Sequence, residues 1–241
     1  MKITAKFKRK TVNYLDGAPI TIGFIGDSVT HGCFEMYKPI EGGFTCNFRQ
    51  QTTYHHILAR MLETVFPKAP ISVINAGSSG GAAPEGAKRL KRDIIDKKPD
   101  LCVVCFGLND ARNGIERVWE YEDALNNIFL QLRQNDIEAI FMTPNMMTTY
   151  VTREFSDKEV LAICEDVSKT QNDGTMDKYM ESAIRVAKEN NVKVCDCYGK
   201  WKKLYENGAD ITRLLSNRIN HPTDEMHYLF AASLFETIME L

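Results

Sequence analysis

Along the chain, short apolar runs rich in β-branched residues alternate with longer segments in which apolar and polar positions are interleaved. The runs Pro19–Ile25, Ile71–Asn75, Leu101–Gly107, Ile137–Thr143 and Val192–Asp196 are nearly continuous in apolar character, the pattern of strands covered on both faces. Between them, segments near Phe48–Val65, Pro84–Lys97, Ile115–Asn135 and Thr175–Asn190 read as amphipathic helices, and a last helix runs from about Thr223 to the C-terminus. Such alternation predicts an α/β fold, a three-layer α/β/α sandwich around a five-stranded parallel sheet.

Two stretches depart from this rhythm. Residues 1–18 alternate at Ile3, Ala5 and Phe7 and read as an edge strand or an N-terminal arm. The stretch from about 145 to 174 is long for a connection, contains a short helix over Asp157–Val167 with Ser156 as its N-cap, and reads as an insertion or lid over the sheet edge, or as a surface loop without function. No repeat, low-complexity tract or Pro/Gly-rich linker divides the chain, so residues 1–241 are expected to form a single domain.

Composition mainly excludes. At 241 residues the chain can build one sizeable core without a disulfide or metal staple. Thirty basic against 32 acidic residues leave no cationic excess for a phosphate backbone, so no nucleic-acid partner is expected. The longest clean apolar runs fall far short of the ~20 residues that a spanning helix needs. The basic start, Lys2 to Lys10, is not followed by the apolar core of a secretory signal, and the expected location is cytoplasmic. Seven cysteines do not suggest a paired disulfide scaffold. Cys102 and Cys105 fall on opposite faces of one strand, and Cys195 and Cys197 lack a second ligand pair, so no metal site is expected.

Candidate chemistry lies in the loops that follow the strands, where open α/β sheets bind ligands. In the first, Gly26-Asp27-Ser28, glycine lets the chain turn sharply and Ser28 opens a helix, a setting for a nucleophile or for a simple cap. The second, Asn75 to Ala83, carries Gly77, Gly80 and Gly81, whose backbone can approach a substrate oxygen closely; it lacks the lysine of a phosphate-binding loop. The third, Gly107-Leu108-Asn109-Asp110, offers the Asn109 amide as an oxyanion donor, or is merely an Asn-Asp turn. Near the C-terminus, His221 precedes Pro222 in a loop and suits a general base, whereas His227 shares an apolar helical stripe with Ala231, Leu234, Ile238 and Leu241, as a core histidine would.

Taken in order, these four blocks resemble the SGNH hydrolases, also called GDSL esterases and lipases. The resemblance covers most of the chain from about residue 20. It implies a flavodoxin-like strand order, Ser28 as nucleophile, the Gly80 N–H and the Asn109 amide as oxyanion donors, and the histidine before a proline, His221, as base. The last block departs from the family's Asp-x-x-His. Aligned on His221, the acid position is Arg218, which cannot serve; the literal match, Asp224 to His227, lies inside the predicted helix. The group that orients His221 is therefore Asp224 reaching back from the first helical turn, a backbone carbonyl, or an acid from elsewhere.

The implied activity is hydrolysis of a carboxylic ester, a small acyl ester or an acetylated sugar, through an acyl-enzyme and without a cofactor. The expected partner is a small-molecule ester; nothing in the sequence indicates an oligomeric state. Met142, Met146 and Met147 either line an adaptable acyl pocket or belong to the core. Two other readings stay open: a non-catalytic ligand-binding module that lost turnover with its acid, and a flavodoxin-like phosphate or nucleotide binder.

Overall fold

A computed structural model describes residues 1–39 and 42–241. The chain runs through α1 (Lys2–Val12), β1 (Ile20–Gly26), α2 (Ser28–His31), β2 (Cys33–Tyr37), β3 (Thr45–Phe48), α3 (Tyr54–Val65) and β4 (Ile71–Gly77). It continues with α4 (Ala83–Asp93), β5 (Leu101–Cys105), α5 (Leu108–Ala111), α6 (Val118–Gln134), β6 (Glu138–Met142) and α7 (Lys158–Asn172). The last elements are α8 (Thr175–Glu189), β7 (Lys193–Cys195), α9 (Cys197–Glu206) and α10 (Asp224–Met239).

Five strands pair in parallel in the order β4-β1-β5-β6-β7, the flavodoxin-like order the family resemblance implies. The order reverses at β1, and in open α/β sheets the carboxyl ends of the strands at such a reversal, here β1 and β5, are where ligands bind. Gly26 is level with both Gly77 and Cys105, so the loops that leave β1, β4 and β5 start side by side. Helices α3 and α10 pack on each other, and α4, α6 and α8 pack in sequence, covering the sheet with two helical layers. Every residue of β5 is buried, as its unbroken apolar run requires.

Three local expectations are corrected. Residues 2–12 form a helix, not a strand: Ile3 and Phe7, four apart, are buried while Ala5 is exposed, and Phe7 stacks on Phe66 with ring centroids 4.6 Å apart. Glu138 accepts the backbone N–H groups of Lys2 and Ile3 at 3.0 and 3.1 Å, satisfying two of the unpaired donors at the helix start. The helix expected from Phe48 begins only at Tyr54, because Cys33–Tyr37 and Thr45–Phe48 pair as an antiparallel ribbon of β2 and β3. The helix expected over Asp157–Val167 is longer, Lys158–Asn172, and its cap is Asp157, whose Oδ1 accepts the N–H groups of Glu159 and Val160. Within the segment before it, Met147 N–H donates to Gln171 and Thr148 N–H to the Ile219 carbonyl, which ties this stretch to α7 and to the loop that carries His221.

Candidate active site

The site begins where β1 ends. At Gly26 a Cβ would stand 2.5 Å from the Cys105 carbonyl oxygen and 2.2 Å from Thr30 Oγ1, so only glycine lets the chain turn there. Asp27 accepts the Val29 N–H at 2.9 Å, and Ser28 follows as the first residue of α2, buried. Arg89 reaches up from α4 to donate to the carbonyls of Ala76 and Gly26 at 2.6 and 2.9 Å, joining the ends of β4 and β1 beneath the site.

His221 stands over Ser28, its Nε2 2.9 Å from the Ser28 Oγ. Its Nδ1 lies 2.7 Å from the carbonyl oxygen of Phe34. A carbonyl only accepts, so Nδ1 carries the proton and Nε2 is left as the acceptor facing the hydroxyl. The imidazole is buried, which pushes its pKa down to about 4; the Phe34 carbonyl and the Glu35 charge pull in the opposite direction. The backbone that presents it is pinned by Asn217, whose Oδ1 accepts the N–H groups of Ile219, Asn220 and His221 at 3.0, 2.9 and 2.9 Å. Arg218, at the position where the family carries its acid, takes a left-handed conformation (φ 56°) and donates to the carbonyls of Arg213 and Leu215.

Asp224 does not orient His221, which corrects the expectation that it reaches back as the acid. Both of its carboxylate oxygens are held by Arg49, at 3.2 and 2.8 Å, and the orienting group is the Phe34 carbonyl. His227, the competing base, is buried behind the site against Phe34, Tyr54 and Phe230, where its Nδ1 accepts the Tyr54 N–H at 3.3 Å. Burial holds its pKa down at about 3, as the apolar stripe on α10 anticipates.

The remaining two loops carry Gly80 and Asn109. Gly80 has φ +73° and opens onto free space, so its backbone faces an approach unobstructed by any side chain of its own. Asn109, in α5 just beyond β5, donates one amide proton to the Gly81 carbonyl at 2.9 Å; the amide keeps a second proton for another acceptor. Asp110 accepts the Ala83 N–H at 2.9 Å, locking the third loop to the second. Asp27 and Asp110 are buried with one carboxylate oxygen each lacking a partner among the described residues, and burial raises both pKa values to about 7. Met142, Met146 and Met147 are buried in the core. Among the described residues no group of three or more His, Cys, Asp or Glu side chains is arranged to hold a metal, and no helix is long and apolar enough to cross a membrane.

Phe34, Asn217 and Arg49 escaped the sequence reading. A carbonyl carries no residue-type signal, and Arg49 lies in an unremarkable polar stretch; Asn217, four residues before His221, had a signal in the habit of Asn side chains to bind nearby backbone N–H groups.

An open parallel sheet with a serine–imidazole pair at its switch point, flanked by a glycine turn and an asparagine amide, is the arrangement of an α/β hydrolytic protein with its chemistry in the strand-end loops. The chain belongs to the GDSL-like lipase/acylhydrolase family, whose sequence model matches residues 24–229. It is 30% identical over 130 residues to an acetylxylan esterase of Geobacillus stearothermophilus, a match that spans 50% of this chain and 58% of that protein. Among solved structures, a mutant of Axe2, an acetyl-xylooligosaccharide esterase of the same organism, is similar with a TM-score of 0.68 at 24% identity, covering 92% of this chain and 95% of the other. A two-domain esterase active on acetylated mannans is similar with a TM-score of 0.68 at 14% identity, covering 99% of this chain and 52% of that one. At these identities the structural likenesses establish the fold.

Proposed function

We propose that the protein is a serine esterase that removes acetyl or other small acyl groups from sugars through an acyl-enzyme. The observation that carries this reading is the Ser28 Oγ to His221 Nε2 contact of 2.9 Å, with Nδ1 bound to an acceptor that fixes the tautomer. Ser28 Oγ attacks the ester carbonyl while its proton passes to Nε2. The imidazolium returns that proton to the departing alcohol oxygen, leaving an acyl group on Ser28. Water then attacks the acyl carbonyl, gives its proton to Nε2, and the acid leaves as Ser28 recovers its own. The backbone N–H groups of Ser28 and Gly80 and the free amide proton of Asn109 serve the oxyanion.

The non-catalytic alternative drew on Arg218 at the acid position; the Phe34 carbonyl supplies an acceptor in its place, which favours turnover. The nucleotide-binding alternative leaves His221 and Asn109 without a role. The sugar part of the proposal rests on the acetylated substrates named for the similar esterases. Acetate release from acetylated xylose and xylo-oligosaccharides tests it. Wild type is expected to turn over and to label at Ser28 with a fluorophosphonate, and Ser28→Ala to do neither. A Ser28→Ala protein with wild-type turnover refutes the mechanism, and acetyl sugars left intact while p-nitrophenyl acetate is cleaved refute the substrate class.

A further inference from the structure

The carbonyl that holds His221 and the histidine itself come from distant parts of the chain, β2 and the loop before α10, and a single side chain grips both. Arg49 lies between β3 and α3. Its Nη1 and Nη2 donate to the two carboxylate oxygens of Glu35 at 2.7 and 2.9 Å, a two-pronged contact with the residue next to Phe34. Its Nε and Nη2 donate to the two oxygens of Asp224 at 3.2 and 2.8 Å, three residues beyond His221. The guanidinium carbon stands 4.0 Å from the centre of the Phe34 ring, and the Arg49 backbone N–H donates to the Gly32 carbonyl at 3.0 Å. Ring, neighbouring carboxylate and opposing loop are thus held by one planar group.

The carbonyl leaves one requirement unmet. A carboxylate in a triad both aims the imidazole and supplies negative charge when the imidazole takes the proton from serine; a carbonyl aims but brings no net charge. Glu35, Arg49 and Asp224 together carry one net negative charge, beside a buried ring that becomes cationic during turnover. Their side chains are about a third or more exposed, so the cluster adds little to folding stability, which leaves its position beside the ring as its distinguishing property.

We propose that the Glu35–Arg49–Asp224 cluster does the work of the missing triad acid: Arg49 is a positioning residue that holds the Phe34 carbonyl on His221 Nδ1, and Glu35 supplies the charge that steadies the imidazolium. The inference rests on the reading of Ser28 and His221 as the reacting pair. The proton that leaves Ser28 Oγ stays on Nε2 until the alcohol or Ser28 reclaims it; the Nδ1 proton remains where it is, because a carbonyl does not take it. The titratable and charged groups around the ring are Asp27 beside Ser28, Glu35, Arg49, and Asp224 and His227 from α10.

The test compares acetate release and its pH profile in the full chain carrying Arg49→Gln, Arg49→Lys or Glu35→Gln. Arg49→Gln is expected to lower kcat 10- to 100-fold with KM within about twofold, as a loosened base does. It leaves two carboxylates without their cation, so the acid limb of kcat/KM moves up, by less than about half a pH unit because unpaired carboxylates begin to protonate near pH 4; Glu35→Gln removes negative charge and moves that limb down by about half a unit. Arg49→Lys restores the charge and returns the limb to its wild-type position while kcat stays reduced, since an ammonium cannot make the fork. A simple loss of packing lowers activity without driving the limb in opposite directions. If Arg49→Gln does not fold, the Glu35→Gln profile alone decides. Wild-type kcat with an unmoved limb in the soluble variants, or limbs shifted the same way, overturns the proposal while a dead Ser28→Ala leaves the esterase reading intact; a fully active Ser28→Ala removes both.

Discussion

Acidification tests the base directly. An unperturbed imidazole with a pKa of about 6.5 is only about 9% neutral at pH 5.5. Burial lowers the His221 value to about 4, which keeps about 97% of it in the proton-accepting form at that pH. The sign follows from the mechanism: neutral Nε2 accepts the Ser28 proton, so activity is present above the His221 pKa and is lost as the pH falls through it. The expected kcat/KM for an uncharged acetyl ester is therefore nearly level from pH 7.5 to 5.5 and halves near pH 4. Initial rates of acetate release at constant ionic strength, quantified by chromatography because the nitrophenol chromophore fades in acid, give the profile. Intrinsic fluorescence of the same samples shows over which range the chain stays folded. A limb centred between pH 6 and 7 in folded protein refutes the argument that burial sets the base.

Other perturbations probe the scaffold and the donors. Asn109→Ala deletes one of the proposed oxyanion donors and is expected to lower kcat on acetyl esters by about 10²–10³-fold with a smaller change in KM; steady-state kinetics decides, and a loss confined to KM contradicts the assignment. Gly86 lies inside α4, where a Cβ would come within 2.4 Å of Phe106 Cζ. Gly86→Ala is therefore expected to destabilise by about 1–3 kcal/mol despite the better helix propensity of alanine, read as a lower midpoint in urea. Phe7→Ala removes the buried ring that docks α1 on Phe66 and is expected to cost about 3–5 kcal/mol in the same assay while Ser28 still labels with a fluorophosphonate at native pH.

Much of this architecture is legible along the chain because strand ends announce themselves: an apolar run closes on glycine and small polar residues, as at Gly26-Asp27-Ser28, and the chemistry collects there. The misreadings have local physical causes. Ile3, Ala5 and Phe7 fit a period of two, yet Ile3 and Phe7 also fit a helical turn, and the contact with Phe66, just beyond α3, decides between them. Strands β2 and β3 are short and irregularly paired, too brief for a periodic signal, and β2 packs against α2. Of the three orienting groups the sequence leaves open, Asp224 is favoured only by its nearness in sequence, whereas the acceptor in place is a backbone carbonyl 187 residues away, which carries no residue-type signal. Its partner in space, Arg49, is brought close only by the fold.

The buried carboxyls and imidazoles around the site also set how the chain exchanges protons when it unfolds. Between about pH 4 and 6.5 the folded protein keeps His221, His55 and His227 neutral, with values near 4, 3 and 3, whereas the unfolded chain protonates them; through these groups stability falls as the pH falls. Asp27 and Asp110, raised to about 7, stay protonated in the folded state over a range in which the unfolded chain ionises them, so through them stability rises as the pH falls. Unfolding in this window takes up three protons and releases two. The net slope is thus about 1.4 kcal/mol per pH unit, in place of about 4 for the three imidazoles alone. Buried carboxyls that resist ionisation thus offset about two thirds of the acid sensitivity that the buried imidazoles would impose on the fold by themselves.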